Sequence, residues 1–65
     1  MRIDVNGESR ELAAATVAEA LDELGWTGAR VATALNGDFL PASARAVQTL
    51  REGDRLEVLA PMQGG

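Results

Sequence analysis

Neither cysteine nor histidine occurs among these 65 residues, and those two absences narrow the choice of fold more than any motif does. A domain this small sits near the lower limit for folding unaided, where disulfides or a structural metal are the usual supplements. Without Cys no disulfide forms, and without Cys or His a structural zinc site lacks its ligands. One hydrophobic core must therefore hold the fold alone. The apolar fraction of 46% overstates the material available, because 12 of those residues are Ala. Eight Leu, five Val, Ile3, Phe39 and Trp26 are the larger core formers. They suffice for a thin core under one helix and a modest stability.

The order of the pattern predicts how that core is assembled. Residues 1–5 alternate, with Ile3 and Val5 opposed to Arg2 and Asp4, which is the period of a half-buried strand. Asn6-Gly7 follows as a hairpin signal, and a second strand is expected over 8–13 with Leu12 as its core residue. Thr16-Val17-Ala18-Glu19 matches a capping box. Val17, Leu21 and Leu24 then form one helical stripe, with Asp22 and Glu23 facing water. Gly25 is placed to stop the helix. At little more than two turns it cannot persist alone and needs a sheet beneath it.

The second half repeats the logic. Residues 31–36 read as a strand apolar on both faces, so that its outer side would be a mild, flat apolar surface. Asn36-Gly37-Asp38 is the next turn, and Pro41 after Phe39-Leu40 marks an edge. Ser43 is expected to cap a short helical turn through 47. Glu52-Gly53-Asp54 turns the chain again, and residues 54–60 form the last strand, with Leu56 and Val58 opposed to Arg55, Glu57 and Leu59. Two hairpin-like pairs around one helix predict an α+β sheet of four to five strands with the helix across one face. Pairing the first strand with the last puts the last in the middle. The expected domain is 1–60, and 61–65 is expected to be a flexible tail leaving a rigid platform.

Charge and side-chain chemistry remove most functions. The formal net charge is −4, and the six Arg are dispersed rather than gathered on one face, which argues against a nucleic-acid binder. No apolar run reaches membrane-spanning length and no signal segment leads the chain, so the cytosol is expected. With no His, Cys, Lys or Tyr, side-chain catalysis has few candidates. The pairs Asp22/Glu23 and Asp54/Glu57 read as solvated faces, and no phosphate-cradling loop is present. The best reacting group is the carboxylate of Gly65. Gly64 leaves it free of side-chain bulk, able to enter a narrow channel, and 61–65 extended would reach roughly 16 Å. Met62 and Gln63 are expected to contact the enzyme that receives the tail, and Phe39, Leu40 and Leu59 to form an apolar docking patch.

These residues together resemble a ubiquitin-like (β-grasp) sulfur carrier of the ThiS family of thiamine biosynthesis, related to the small subunits of molybdopterin synthase. The resemblance covers the whole chain. It rests on the first strand into Asn6-Gly7, the Thr16-Val17-Ala18-Glu19 helix start, Val31-Ala32-Thr33-Ala34-Leu35-Asn36-Gly37-Asp38, Pro41, Glu52-Gly53-Asp54-Arg55-Leu56-Glu57, and Pro61-Met62-Gln63-Gly64-Gly65. It implies a protein co-substrate rather than an enzyme. A ThiF-type adenylating enzyme would use ATP and magnesium to form an acyl-adenylate on Gly65, with no cofactor or metal held by this chain. A persulfide donor would replace the adenylate and leave a thiocarboxylate, and a ThiG-type thiazole synthase would accept the sulfur. A carrier for molybdopterin, cysteine or a specialised metabolite is the alternative within the class, and an unreactive ubiquitin-like binding module the alternative outside it.

Overall fold

A computed structural model describes residues 1–26 and 30–60. Strand β1 (Arg2–Val5) buries Ile3 and Val5 and leaves Arg2 exposed, as its alternation requires. Asn6 and Gly7 take φ of 51° and 85°, the left-handed pair that closes a two-residue hairpin. Strand β2 (Glu8–Glu11) returns antiparallel, with Val5 opposite Glu8 and Arg2 opposite Glu11. It is shorter than expected and exposed throughout; Leu12 is buried just beyond its end. There the Met1 ammonium donates to the Leu12 carbonyl at 2.7 Å and to the Glu11 carboxylate at 3.0 Å.

Helix α1 (Val17–Glu23) starts at Thr16, whose hydroxyl accepts from the Glu19 N–H at 3.2 Å. The Glu19 carboxylate accepts from Ala15 at 2.8 Å, one residue before the N–H that a standard capping box uses. The next donors find distant partners: Val17 donates to the Gln48 carbonyl at 3.0 Å and Ala18 to that of Arg45 at 3.1 Å. Val17, Ala20 and Leu21 are buried and Leu24 is half-buried. Gly25, at φ 92°, donates to Asp22, while Trp26 donates to Leu21, the bond pair of a Schellman stop. Trp26 then lies half-buried against the core as a lid.

Strands β3 (Ala32–Leu35) and β4 (Asp38–Leu40) form the second hairpin around Asn36-Gly37, again at positive φ. Pairing stops before Pro41, which leads into a 3₁₀ turn (Ala42–Ala44). Pro41 is the residue at the start of that turn, and no side chain caps it. The expected capping role of Ser43 is therefore not realised, but turn structure does run through 47, where the Val47 N–H donates to the Ala44 carbonyl at 3.2 Å. Strand β5 (Arg55–Leu59) runs through the centre of a five-stranded sheet ordered β2-β1-β5-β3-β4, parallel to β1 and antiparallel to β3. One face of the sheet joins Ile3, Val5, Leu40, Leu56 and Val58 to the helix residues Val17, Ala20 and Leu21. The arrangement is that expected from the pattern, with the C-terminal strand in the middle.

Candidate functional site

β5 is the central strand of the sheet, flanked on both sides, and residues 61–65 follow it in sequence. Both Asn-Gly turns reinforce it through backbone and side-chain hydrogen bonds. At its start, the Asn36 N–H donates to the Arg55 carbonyl at 2.8 Å, and the Asn36 side-chain oxygen accepts from the Arg55 N–H at 2.9 Å. Near its end, the Asn6 amide oxygen accepts from the Val58 N–H at 2.8 Å and the Asn6 amide nitrogen donates to the Val58 carbonyl at 3.1 Å. These turn residues were read for their backbone conformation; their second use spans 52 residues of sequence in the Asn6 case. A short-range pattern carries no signal of that.

The outer face of the sheet supplies a surface beside the point where β5 ends. Cross-strand register sets Ala34 beside both Phe39 and Glu57, and Ala32 beside Leu59. The two alanines floor a shallow depression, with Phe39 and Leu59 rising on either side of it. Phe39 is 72% exposed and Leu59 69% exposed, large values for apolar side chains that face one another over an apolar floor. On the far side of Leu59 lies an open groove of about 580 Å³ lined by Arg30, Val31, Ala32, Ala42, Arg45, Leu59 and Ala60. Leu59 is thus a ridge between two apolar hollows.

Of the three residues expected to form a patch, Phe39 and Leu59 are brought together and Leu40 is not. Leu40 is only 8% exposed and pairs with Thr33 on the core face. Adjacent residues in a strand point to opposite faces, so Phe39 and Leu40 could not both join one surface. Arg45 was missed. It donates through Nε to the Thr33 hydroxyl at 2.9 Å and through Nη2 to the Val31 carbonyl at 2.6 Å, fastening the groove's wall to β3. The expected roles of Met62, Gln63, Gly64 and Gly65 fall outside the described residues.

The described residues include several carboxylates that accept backbone N–H groups. Glu11 has its carboxyl held below the ordinary 4.5 by a hydrogen bond from the N-terminal ammonium, that ammonium's charge, and Arg2. Among the described residues no group of His, Cys, Asp or Glu is arranged to hold a metal ion, and no helix is long and apolar enough to cross a membrane.

Comparison with known proteins fits this geometry. Residues 3–65 match the ThiS family. The sulfur carrier protein ThiS of Thermus thermophilus is 41% identical, the match covering 94% of this chain and 95% of that protein. A thiazole synthase of Paramagnetospirillum magneticum is 38% identical over the whole chain, which spans 20% of that protein's length. The crystal structure of thiamine biosynthesis protein ThiS from Geobacter metallireducens superposes with a TM-score of 0.83 at 35% identity, covering 100% of both chains. The five-stranded β-grasp sheet and the one helix of the described residues are therefore shared with that structure, and the chain belongs to the ThiS family of sulfur carriers.

Proposed function

We propose that this chain carries sulfur for thiamine thiazole synthesis on the C-terminal carboxylate of Gly65. The observation that carries the reading is the family match running through residue 65, on a chain with no His, Cys, Lys or Tyr of its own. An α-carboxylate ionises with a pKa of about 3.3–3.7 and is a poor electrophile until activated. In the proposed cycle a carboxylate oxygen attacks the α-phosphorus of ATP on a ThiF-type enzyme and expels pyrophosphate. The terminal sulfur of a protein persulfide attacks the resulting acyl carbon and expels AMP. A thiol then attacks the donor-side sulfur of the acyl disulfide, leaving the thiocarboxylate and an oxidised disulfide. ATP and magnesium belong to the activating enzyme.

The thiazole synthase relative bears on the acceptor. A segment like this whole chain makes up a fifth of a protein named thiazole synthase, which supports a ThiG-type synthase as the partner and favours thiamine over the other sulfur pathways. The ridge of Leu59 and the exposed Phe39 are where such enzymes would grip the carrier while the tail enters the active site. These exchanges are proposed to take place in the cytosol. Chain-dependent exchange of labelled pyrophosphate into ATP by a ThiF-type enzyme tests the first step. Exchange is expected with the full chain and not after deletion of Gly65; exchange that persists after that deletion would refute the assignment of the carboxylate.

A further inference from the structure

β1 leaves the sheet at the turn that begins with Asn6, while its neighbour β5 continues to Leu59. The parallel ladder between them runs through the Asp4 N–H to the Asp54 carbonyl and the Asn6 N–H to the Leu56 carbonyl, at 2.9 and 3.0 Å. The next residue of β5 facing β1 is Val58, and the β1 backbone has by then turned away. The Asn6 side chain takes over: its carboxamide oxygen accepts from Val58 and its nitrogen donates back to Val58, at 2.8 and 3.1 Å. A primary amide offers the same donor and acceptor as a peptide group. One side chain therefore stands in for one further residue of β1.

We propose that Asn6 is a positioning residue for the carrier reaction: by holding both polar groups of Val58 it fixes the exit of β5 and the Leu59 ridge for the incoming enzyme. The proposal rests on the carrier function above and adds to it a residue remote in sequence from the tail. Asn36 provides the internal control. It occupies the same kind of turn at nearly the same φ, 52° against 51°, and grips β5 at Arg55, the opposite end. Each side chain makes two hydrogen bonds, Asn6 both with the Val58 backbone and Asn36 one with the Arg55 N–H and one with the Asp54 carboxylate; only Asn6 acts at the exit.

The test compares Asn6→Gly with Asn36→Gly, since glycine tolerates positive φ and leaves both turns unstrained. Amide hydrogen exchange should show Val58 exchanging about two- to tenfold faster in Asn6→Gly and unchanged in Asn36→Gly, the range set by one net hydrogen bond. In thiocarboxylate formation with a ThiF-type enzyme, ATP and a persulfide donor, Asn6→Gly should raise KM for the carrier by about the same factor with kcat retained. Asn36→Gly should match the wild type. Asn6→Asp keeps an acceptor for the Val58 N–H but sets a carboxylate against the Val58 carbonyl, and should raise KM likewise if the glycine variant fails to fold. Equal KM shifts in both glycine variants, or unchanged Val58 exchange in Asn6→Gly, would overturn the proposal. A wild-type chain that is not activated would instead remove the carrier function, while the exchange arm still decides whether Asn6 holds the exit.

Discussion

Arg45 ties three parts of the molecule together, and its removal gives a prediction that can be worked from distances. Its guanidinium bonds the Thr33 hydroxyl at 2.9 Å and the Val31 carbonyl at 2.6 Å, while its own carbonyl accepts from Ala18 in the first turn of α1. Thr33 is only 2% exposed, and its hydroxyl donates onward to the Leu40 carbonyl at 2.8 Å. Hydrogen bonds from a charged donor contribute about 1.5–3 kcal/mol each. The side chain is half-buried, so water recovers part of that, and Arg45→Ala should cost about 2 kcal/mol. A chain of this length has a total stability of roughly 3–10 kcal/mol. The midpoint of thermal unfolding should therefore fall by roughly 8–16 °C.

Urea unfolding followed by the fluorescence of Trp26, the only tryptophan, reads this directly. Arg45→Lys should recover less than half of the loss, because a point charge cannot reproduce the guanidinium fork. Thr33→Val should couple to Arg45→Ala by about 0.5–1.5 kcal/mol in a double-mutant cycle. A loss below about 0.5 kcal/mol for Arg45→Ala, the level of an ordinary surface change, would refute the reasoning.

Three further outcomes are expected. Phe39→Asp and Leu59→Asp, both at exposed positions, should leave stability within about 0.5 kcal/mol and raise KM for activation about tenfold or more, as loss of a docking anchor would; enzyme assays on folded variants check this, and unchanged KM would remove the docking role. Gly65→Ala should slow thiocarboxylate formation by adding a Cβ in a tight channel while leaving the unfolding curve unchanged, and a normal yield would sink the steric part. Glu11, held below its ordinary 4.5 by the N-terminal ammonium, contributes stability that is present above that value and lost as pH falls through the lowered one. Unfolding midpoints from pH 6 to 3 should thus decline less steeply in Glu11→Gln, with the difference shrinking in high salt.

Much of the fold is legible because its signals are local. Period-2 alternation placed Ile3, Val5, Leu56 and Val58 in the core, and Asn6-Gly7, Asn36-Gly37 and Gly25 marked turns that need positive φ. What escaped were contacts made across the sequence. Glu23, read as facing water, accepts from the Ala13 and Ala14 N–H groups at 3.0–3.1 Å and holds the chain between β2 and α1. After Pro41 the pattern predicts only a short helical turn, because the segment's partners, Thr16, Val17 and Ala18, lie far back in the chain. The candidate surface was half legible: exposure of Phe39 and Leu59 follows from alternation, but their meeting over Ala32 and Ala34 depends on register, which a strand pattern does not specify.

The most direct measurement of the carrier function is intact mass after incubation with a ThiF-type enzyme, ATP, magnesium and a persulfide donor, followed by a thiol-selective alkylating agent. Alkylation matters because replacing oxygen by sulfur changes mass almost as oxidation of Met1 or Met62 does. The chain has no cysteine, so an adduct that maps to Gly65 and disappears when Gly65 is deleted identifies a thiocarboxylate, the expected result. Absence of any adduct, with the same enzyme shown competent on another carrier of the family, would contradict the function proposed.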